Sequence, residues 1–345
     1  LRPGDVFVLN GRTIRLVETR LLTAKVAAAD SSVPTVPRWY ANKMPLASGL
    51  ATEVVNLRTE VAHRLKNGAS RDATHFLETD YGLSAANARA LMEHFTLQAR
   101  VSEIPTRDFF LIERYDQGDY VHYFFHALIG RSANDALSRI VAQRVHATKG
   151  GNALTTIDDY GFLLTLRPFQ AITGPEWKPL FARLGAEDAL RAALSESNLV
   201  KWQFRGVAQT GLMVPRRVHG QERGARALQW SSEIIFEVLR KYEPDHPLLE
   251  EAYAEATLRF LDLPRALTFL ENAGGVRWEF RTTERVSPFS FGMYVSRIRE
   301  TMTLEDPETT IERLFHDMYG EMPGPDISPS DLSSRARGTR AWRSS

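Results

Sequence analysis

The sequence predicts an α+β fold: an antiparallel, β-barrel-like module with early helices over residues 1–170, fused to an α-helical block over 171–323 that carries one late strand. Two observations carry this. Short β-prone runs cluster in the first thirty residues and recur between residues 109 and 166, whereas from Pro175 to Ala273 the signals are almost all helical. Residues 324–345 are expected to form a disordered tail, because from Pro323 on the chain is Ser, Pro, Gly and Arg with almost no apolar residues.

The opening GDVFVLNGRTIRLVET reads as a hairpin: VFVL, the turn pair Asn10-Gly11, then TIRLV with Ile14 and Leu16 on one face. LLTAKVAAA supplies a third strand, and three short strands in so little chain imply a meander or part of a small barrel. Leu50, Val54, Leu57, Val61 and Leu65 then fall on one helix face, with Gly68 as the end signal. LSAANARALMEHFTLQARV is a second helix, with Ser84 as N-cap and Leu91 and Phe95 turned inward. FFLIERYDQGDYVHYFFHAL reads as two strands around a Gln-Gly turn, expected to complete the barrel sheet begun at the N-terminus, and a helical ANDALSRIVAQRV follows. LTTIDDYGFLLTL is another hairpin, turning at Asp158, Asp159, Tyr160 and Gly161. In the helical block, Ser231 or Ser232 is placed to cap IIFEVLRKY, and Pro247 to open LLEEAYAEATLRFLDL. After Gly274-Gly275, VRWEFRTTE is one more strand; DPETTIERLFHDMY, with Asp306 as cap and Pro307 in first position, closes the fold.

At 345 residues, 43% hydrophobic and 25% charged, the chain is long enough to bury a core without staples. The absence of cysteine excludes disulfides and thiolate metal sites and fits a reducing cytosol. No apolar run approaches the roughly 18 residues of a membrane span, so no membrane partner is expected. The chain starts at Leu1 rather than Met and enters strand-like residues at once, which points to a piece of a longer polypeptide. The formal net charge of +1 hides an uneven distribution. Between Leu199 and Gln229, Lys201, Arg205, Arg216, Arg217, Arg223 and Arg226 face one acid, Glu222. Such a run attracts polyanions or is a solvated face.

The chain has no Gly-x-x-x-x-Gly-Lys-Ser/Thr phosphate loop, no Gly-x-Gly-x-x-Gly after a strand and no His-Glu-x-x-His, so it is expected to carry no nucleotide motor, cofactor or catalytic residue of its own. YEPDHPLLEE sets His246 and Glu250 on one helix face near Glu243 and Asp245, a possible metal pair, but acids and a proline at a helix start are what capping already demands. Asp158 and Asp159 invite an acid/base reading, while paired aspartates in a tight turn are turn formers first. The stretch VPTVPRWYANKMPL differs from all of these. Two prolines stiffen the approach to Trp39 and Tyr40, which stand between Arg38 and Lys43 with no apolar periodicity around them. The rings are either a lid over core or a stacking platform for nucleic-acid bases, worth on the order of 1–3 kcal/mol per base whatever the sequence.

In their order, GDVFVLNGRTIRLVET, the Pro-rich loop with Trp39, FFHALIGRSANDALSRIVAQRV, DDYGFLL, WQFRGVAQTGLMVPR and KYEPDHPLLEEAYAEA resemble the C-terminal signature domain of Lhr-type superfamily 2 helicases, most of all the bacterial ligase-associated DExH-box DNA repair branch. The resemblance spans nearly all of residues 1–323; each motif is loose, and the order is specific. It implies a bacterial, cytoplasmic, nucleoid-associated parent that is an ATP-dependent 3′-to-5′ helicase, with ATP and Mg held by RecA-like domains of the same polypeptide and a winged-helix domain beside them. For this chain it implies a β-barrel joined to a helical block with winged-helix-like pieces. The implied partner is single-stranded DNA or an RNA:DNA hybrid. The family's stacking tryptophan matches Trp39, although Tyr40, Ala41 and Asn42 follow where many members have a Gly and an acid. Two rival readings stand beside this one: a stand-alone DNA glycosylase-like enzyme that flips a base towards Asp158 or Asp159, and a purely structural brace.

Overall fold

The computed structural model describes residues 4, 6–9, 12–20, 23–29, 46, 48–195, 197–215, 217–218, 221–222, 225–299 and 307–320. The turn pair Asn10-Gly11, the cap Asp306 and the tail lie outside them. The described residues group into two compact units, one joining the N-terminal strands to the last two helices and one spanning 46–288.

In the first unit, β1 (Val6–Leu9), β2 (Arg12–Arg20) and β3 (Thr23–Ala28) form an antiparallel meander in that order. Leu16 is buried between exposed Arg15 and Val17, the alternation of a strand with one covered face.

The second unit opens with α1 (Ser48–Lys66), where Val61 and Leu65 are buried, Val54 and Leu57 half-buried, and Leu50 exposed. Gly68 ends it at φ +72. After α2 (Ser70–Thr79), the Ser84 side chain accepts the Asn87 N–H at 3.3 Å and starts α3 (Ala85–Val101), which buries Met92 and Phe95 and half-buries Leu91. β4 (Phe109–Gln117) and β5 (Tyr120–Phe125) pair around Gly118, φ +53, and lead into α4 (Arg131–Lys149). A second hairpin follows, β6 (Leu154–Ile157) and β7 (Phe162–Leu166). The helical stretch runs through α5 (Trp177–Leu180), α6 (Ala186–Leu194), α7 (Asn198–Thr210), a small hairpin of β8 (Arg217–Val218) and β9 (Gln221–Glu222), α8 (Ala225–Tyr242), α9 (Pro247–Ala254) and α10 (Leu263–Ala273). β10 (Arg277–Thr283) completes the unit. Beyond it, α11 (Pro288–Arg299) and α12 (Pro307–Tyr319) meet through Phe291 and Phe315, edge-on at 5.5 Å.

The β4–β5 hairpin does not extend the N-terminal meander, contrary to the expectation from sequence. It lies at the centre of a separate, open five-stranded sheet, in the order β10-β4-β5-β7-β6, with β10 parallel to β4 and the other pairs antiparallel. The reason is burial on both sides: Phe109 to Ile112, Val121 to Phe125 and all of β7 are buried, the continuous apolar pattern of a central strand rather than of a barrel wall with one wet face. Ser231 and Ser232 are not caps. α8 starts six residues earlier than Ser231, because Leu228 already belongs to its buried face, and Ser232 is buried inside the helix. LLEEAYAEATLRFLDL is not one helix either. After α9 the chain widens into a π-turn over Glu255–Phe260, and Asp262 at φ +40 breaks it before α10.

The core of the unit is aromatic. Trp177 is fully buried, edge-on to Tyr123 and Phe125 at 4.9 Å each, and Phe125 stacks on Phe162 at 4.5 Å. The Tyr123 hydroxyl donates to the Ile172 carbonyl and accepts the Ile172 N–H, and burial pushes its pKa up to about 12. At the β6–β7 turn, Asp158 Oδ1 accepts the Tyr160 N–H at 2.8 Å and Asp159 Oδ1 the Leu46 N–H at 2.9 Å. Gly161 is required here, since a Cβ would collide with the Phe125 carbonyl oxygen. The buried Arg58 guanidinium lies 4.6 Å over the Tyr160 ring.

Two outcomes follow from this packing. Trp177→Ala should cost about 3–5 kcal/mol in urea denaturation; a loss below about 1 kcal/mol would contradict the central place given to that ring. The second concerns pH. Burial pushes the Asp158 carboxyl above the ordinary carboxylate range, against the opposing pull of the Tyr160 N–H, His126, Arg58 and the Gly161 amide. The native state thus holds this proton more tightly than the unfolded chain does, and the group's contribution falls as pH rises from about 4 through the native pKa. Across that window the wild-type protein should lose stability relative to Asp158→Asn, and a wild type that gains on the variant as pH rises would refute the assignment.

Candidate nucleic-acid interface

The described residues bring together only part of the expected surface. Arg38, Trp39, Tyr40 and Lys43 lie outside them, as do Arg216 and Arg223, and Arg226 falls in the first turn of α8 with its side chain undescribed. Arg205 is half-buried on α7 and Arg217 is exposed on β8, in register with Glu222 of β9. α7 and α8 pack through Phe204 and Phe236, whose rings are 5.3 Å apart, and the β8–β9 hairpin is the connection between them. Arg205, Arg217 and the start of α8 therefore belong to one helix–hairpin–helix segment.

The charge of this segment is lower than its sequence implies. Lys201 Nζ is 2.7 Å from Glu237, which also binds Arg240 at 2.7 Å, and the hydrogen bond from Lys201 is the main reason the Glu237 carboxyl sits below its usual pKa. Glu237 lies two turns past the basic run, outside the stretch that ends at Gln229. In compensation, the segment displays two tryptophans that sequence reasoning misses. Trp202 on α7 is 53% exposed and edge-on to Phe260 at 5.6 Å; Trp230 on α8 is 65% exposed. Both are out of phase with their helices' buried faces, Val200, Phe204 and Ala208 on α7 and Leu228, Ser232 and Phe236 on α8. That phase is the signal that could have found them. Trp230 also begins an exposed apolar row with Ile234, Val238 and Tyr242. Exposed rings offer flat faces of the kind on which bases stack.

The other sequence candidates are engaged in structure. His246 Nδ1 accepts the Leu248 N–H as the cap of α9, and Glu250 takes two hydrogen bonds from Arg191, at 2.8 Å each. Among the described residues no three His, Cys, Asp or Glu converge as metal ligands, and no helix is long and apolar enough to cross a membrane.

Comparison with known proteins accords with this architecture. A model of the DEAD/H associated family matches residues 104–290, from just before β4 into α11. The chain is 33% identical over 327 residues to ATP-dependent helicase Lhr-Core protein 2 of Thermococcus barophilus, covering 93% of this chain and 38% of that protein. It is 29% identical over 314 residues to ATP-dependent helicase Lhr-Core of Methanocaldococcus jannaschii, covering 91% and 36%. Among solved structures, Mycobacterium smegmatis helicase Lhr bound to ssDNA and AMP-PNP aligns with a TM-score of 0.59 at 20% identity, over 76% of this chain and 33% of that one, a likeness of fold. The chain thus spans well under half the length of each of these relatives. It belongs to the DEAD/H associated family, the core-associated region of Lhr-type superfamily 2 helicases.

Proposed function

We propose that this chain is the C-terminal accessory domain of an ATP-dependent 3′-to-5′ helicase of DNA repair, and that it grips the tracking strand, single-stranded DNA or the unwinding edge of an RNA:DNA hybrid, by stacking and cationic contacts. The family match carries the reading, and the fold neighbour's description as bound to ssDNA supports it. ATP and Mg belong to RecA-like domains elsewhere in the parent polypeptide, with a winged-helix domain between them and this chain. The parent works in the cytoplasm on nucleoid DNA. Within the chain, the β1–β3 meander serves as part of a small barrel, and Trp39 and Tyr40, flanked in sequence by Arg38 and Lys43, stack on bases. The α7–hairpin–α8 segment serves as a winged-helix-like piece whose Arg205, Arg216, Arg217, Arg223 and Arg226 attract phosphates. The glycosylase alternative draws less support, because Asp158 Oδ1 holds the turn through the Tyr160 N–H and Asp159 Oδ1 is taken up by the Leu46 N–H.

Stacking and charge should fail differently. Trp39→Ala should weaken binding to a labelled single strand by on the order of 1–3 kcal/mol with its salt dependence unchanged. Arg216→Ala with Arg217→Ala should flatten the slope of log affinity against log salt, by up to ~0.7 for each phosphate that is no longer neutralised. Fluorescence anisotropy at several salt concentrations reads both. A Trp39→Ala protein that binds as tightly as the parent but melts several degrees lower would make that ring a core residue and end its part in the proposal.

A further inference from the structure

The motif FFHALIGR marks the family resemblance, yet none of the roles above uses it. It builds one wall of a cavity. Where β5 ends, His126, Ala127 and Leu128 turn towards α4 and face Phe269, Asn272 and Ala273 of α10 across a space of about 130 Å³. We propose that this cavity takes one unpaired pyrimidine base of the strand, a reading that deepens the single-strand function above and rests on it.

Size selects the ligand first. A cavity of roughly 150 Å³ accommodates benzene, and drug-sized ligands need roughly 300–1,000 Å³, so this one fits a single aromatic ring. Phe110 and Phe269, edge-on at 5.1 Å, give it an apolar wall against which a ring packs. Polar groups then separate a base from a plain hydrocarbon. His126, 3% exposed, lies 3.0 Å through Nε2 from the buried Glu113 carboxylate, which fixes the orientation of its ring. Thr106 is buried in the wall, and exposed Asn272 at the rim offers an amide with both donor and acceptor, the pattern needed to read the edge of an extruded base.

Charge and strain agree with that assignment. Exposed Arg107 is at the mouth, and Arg277 and Lys66 lie 4.9 and 5.9 Å over the ring of Phe109, another residue of the wall. Lys66 and Arg277 are themselves paired, with Glu103 at 4.0 Å and Glu279 at 3.6 Å, acids that Arg281 also binds, and Asp108 is met by His63 at 2.9 Å; among the described residues this leaves Arg107 as the rim cation with no ion pair, placed for one flanking phosphate. Leu128 holds φ +56, with its N–H donated to the Tyr160 carbonyl. Strain of this kind on a bulky residue persists where the surroundings enforce it, commonly at ligand clamps.

The test uses the full chain with free thymidine and with a short oligothymidylate. Val276→Phe fills the cavity from a half-buried position, and Asn272→Ala removes only an exposed amide and keeps the fold. Saturation-transfer NMR should give a saturable thymidine signal with the wild-type protein that both variants reduce. Both should also weaken oligothymidylate binding at least about fivefold with the salt slope unchanged. No thymidine signal from the wild type, or a signal and an oligothymidylate affinity that both variants leave intact, would overturn the cavity assignment while the strand function stood. A wild-type chain that binds thymidine but no oligothymidylate would sink the strand function and the cavity proposal with it.

Discussion

A single buried carboxylate holds the larger unit in register. Glu113, at the middle of β4, is almost wholly excluded from solvent and is met by Gln98 Nε2 at 3.3 Å, Ser287 Oγ at 2.7 Å and His126 Nε2 at 3.0 Å. These partners come from α3, from the chain after β10 and from the end of β5. A buried charge is tolerated only when its lone pairs are satisfied, and removing one partner leaves the others with an uncompensated cost. Helix, hairpin and late strand are therefore fixed to one another around β4, and the orientation of His126, with the cavity it lines, is a consequence.

The same centre explains the order of the sheet. A parallel neighbour for β4 cannot come from a hairpin; it requires a crossover, and here the chain between β7 and β10 provides one, carrying α5 to α10 before it returns. The helical block is thus an excursion anchored at both ends in one sheet rather than an appended domain. Its segment of α7, β8–β9 and α8 packs inwards through Phe204 and Phe236, while Trp202 and Trp230 remain outside.

Local elements are legible in the sequence because their causes are local. Ser84 caps α3, Pro247 opens α9 and Gly68 closes α1 through chemistry confined to a few neighbours. Pairing is not legible: nothing in VRWEFRTTE says that its partner stands some 170 residues earlier, and the continuous apolar runs of β4, β5 and β7, which signal a doubly covered sheet, pass locally for barrel strands. At the start of α8 the serines mislead, because the phase of Leu228 outweighs them. For the candidate surface, the basic run is visible but its neutraliser Glu237 lies beyond it, and the cavity is invisible because its walls come from stretches as far apart as Val55 and Val276. The order of motifs nonetheless carries the family, since order along a chain survives where individual positions drift.

In the strand-gripping role proposed above, charge and aromatic surface would divide the work unequally. With Lys201 and Arg240 both tied to Glu237, and a formal charge of +1 over the whole chain, the proposed grip would draw only modestly on long-range attraction. Steering by phosphate contacts is strong at a distance and indifferent to position, which suits capture. In the proposed role, holding one nucleotide against slippage needs a short-range contact that is made and broken once per base; exposed ring faces would supply it without regard to sequence, and the cavity would supply it for a pyrimidine. A domain accompanying a motor, as proposed, would gain from this division: weak net charge would let the strand move on, and discrete aromatic contacts would give each step a place to rest.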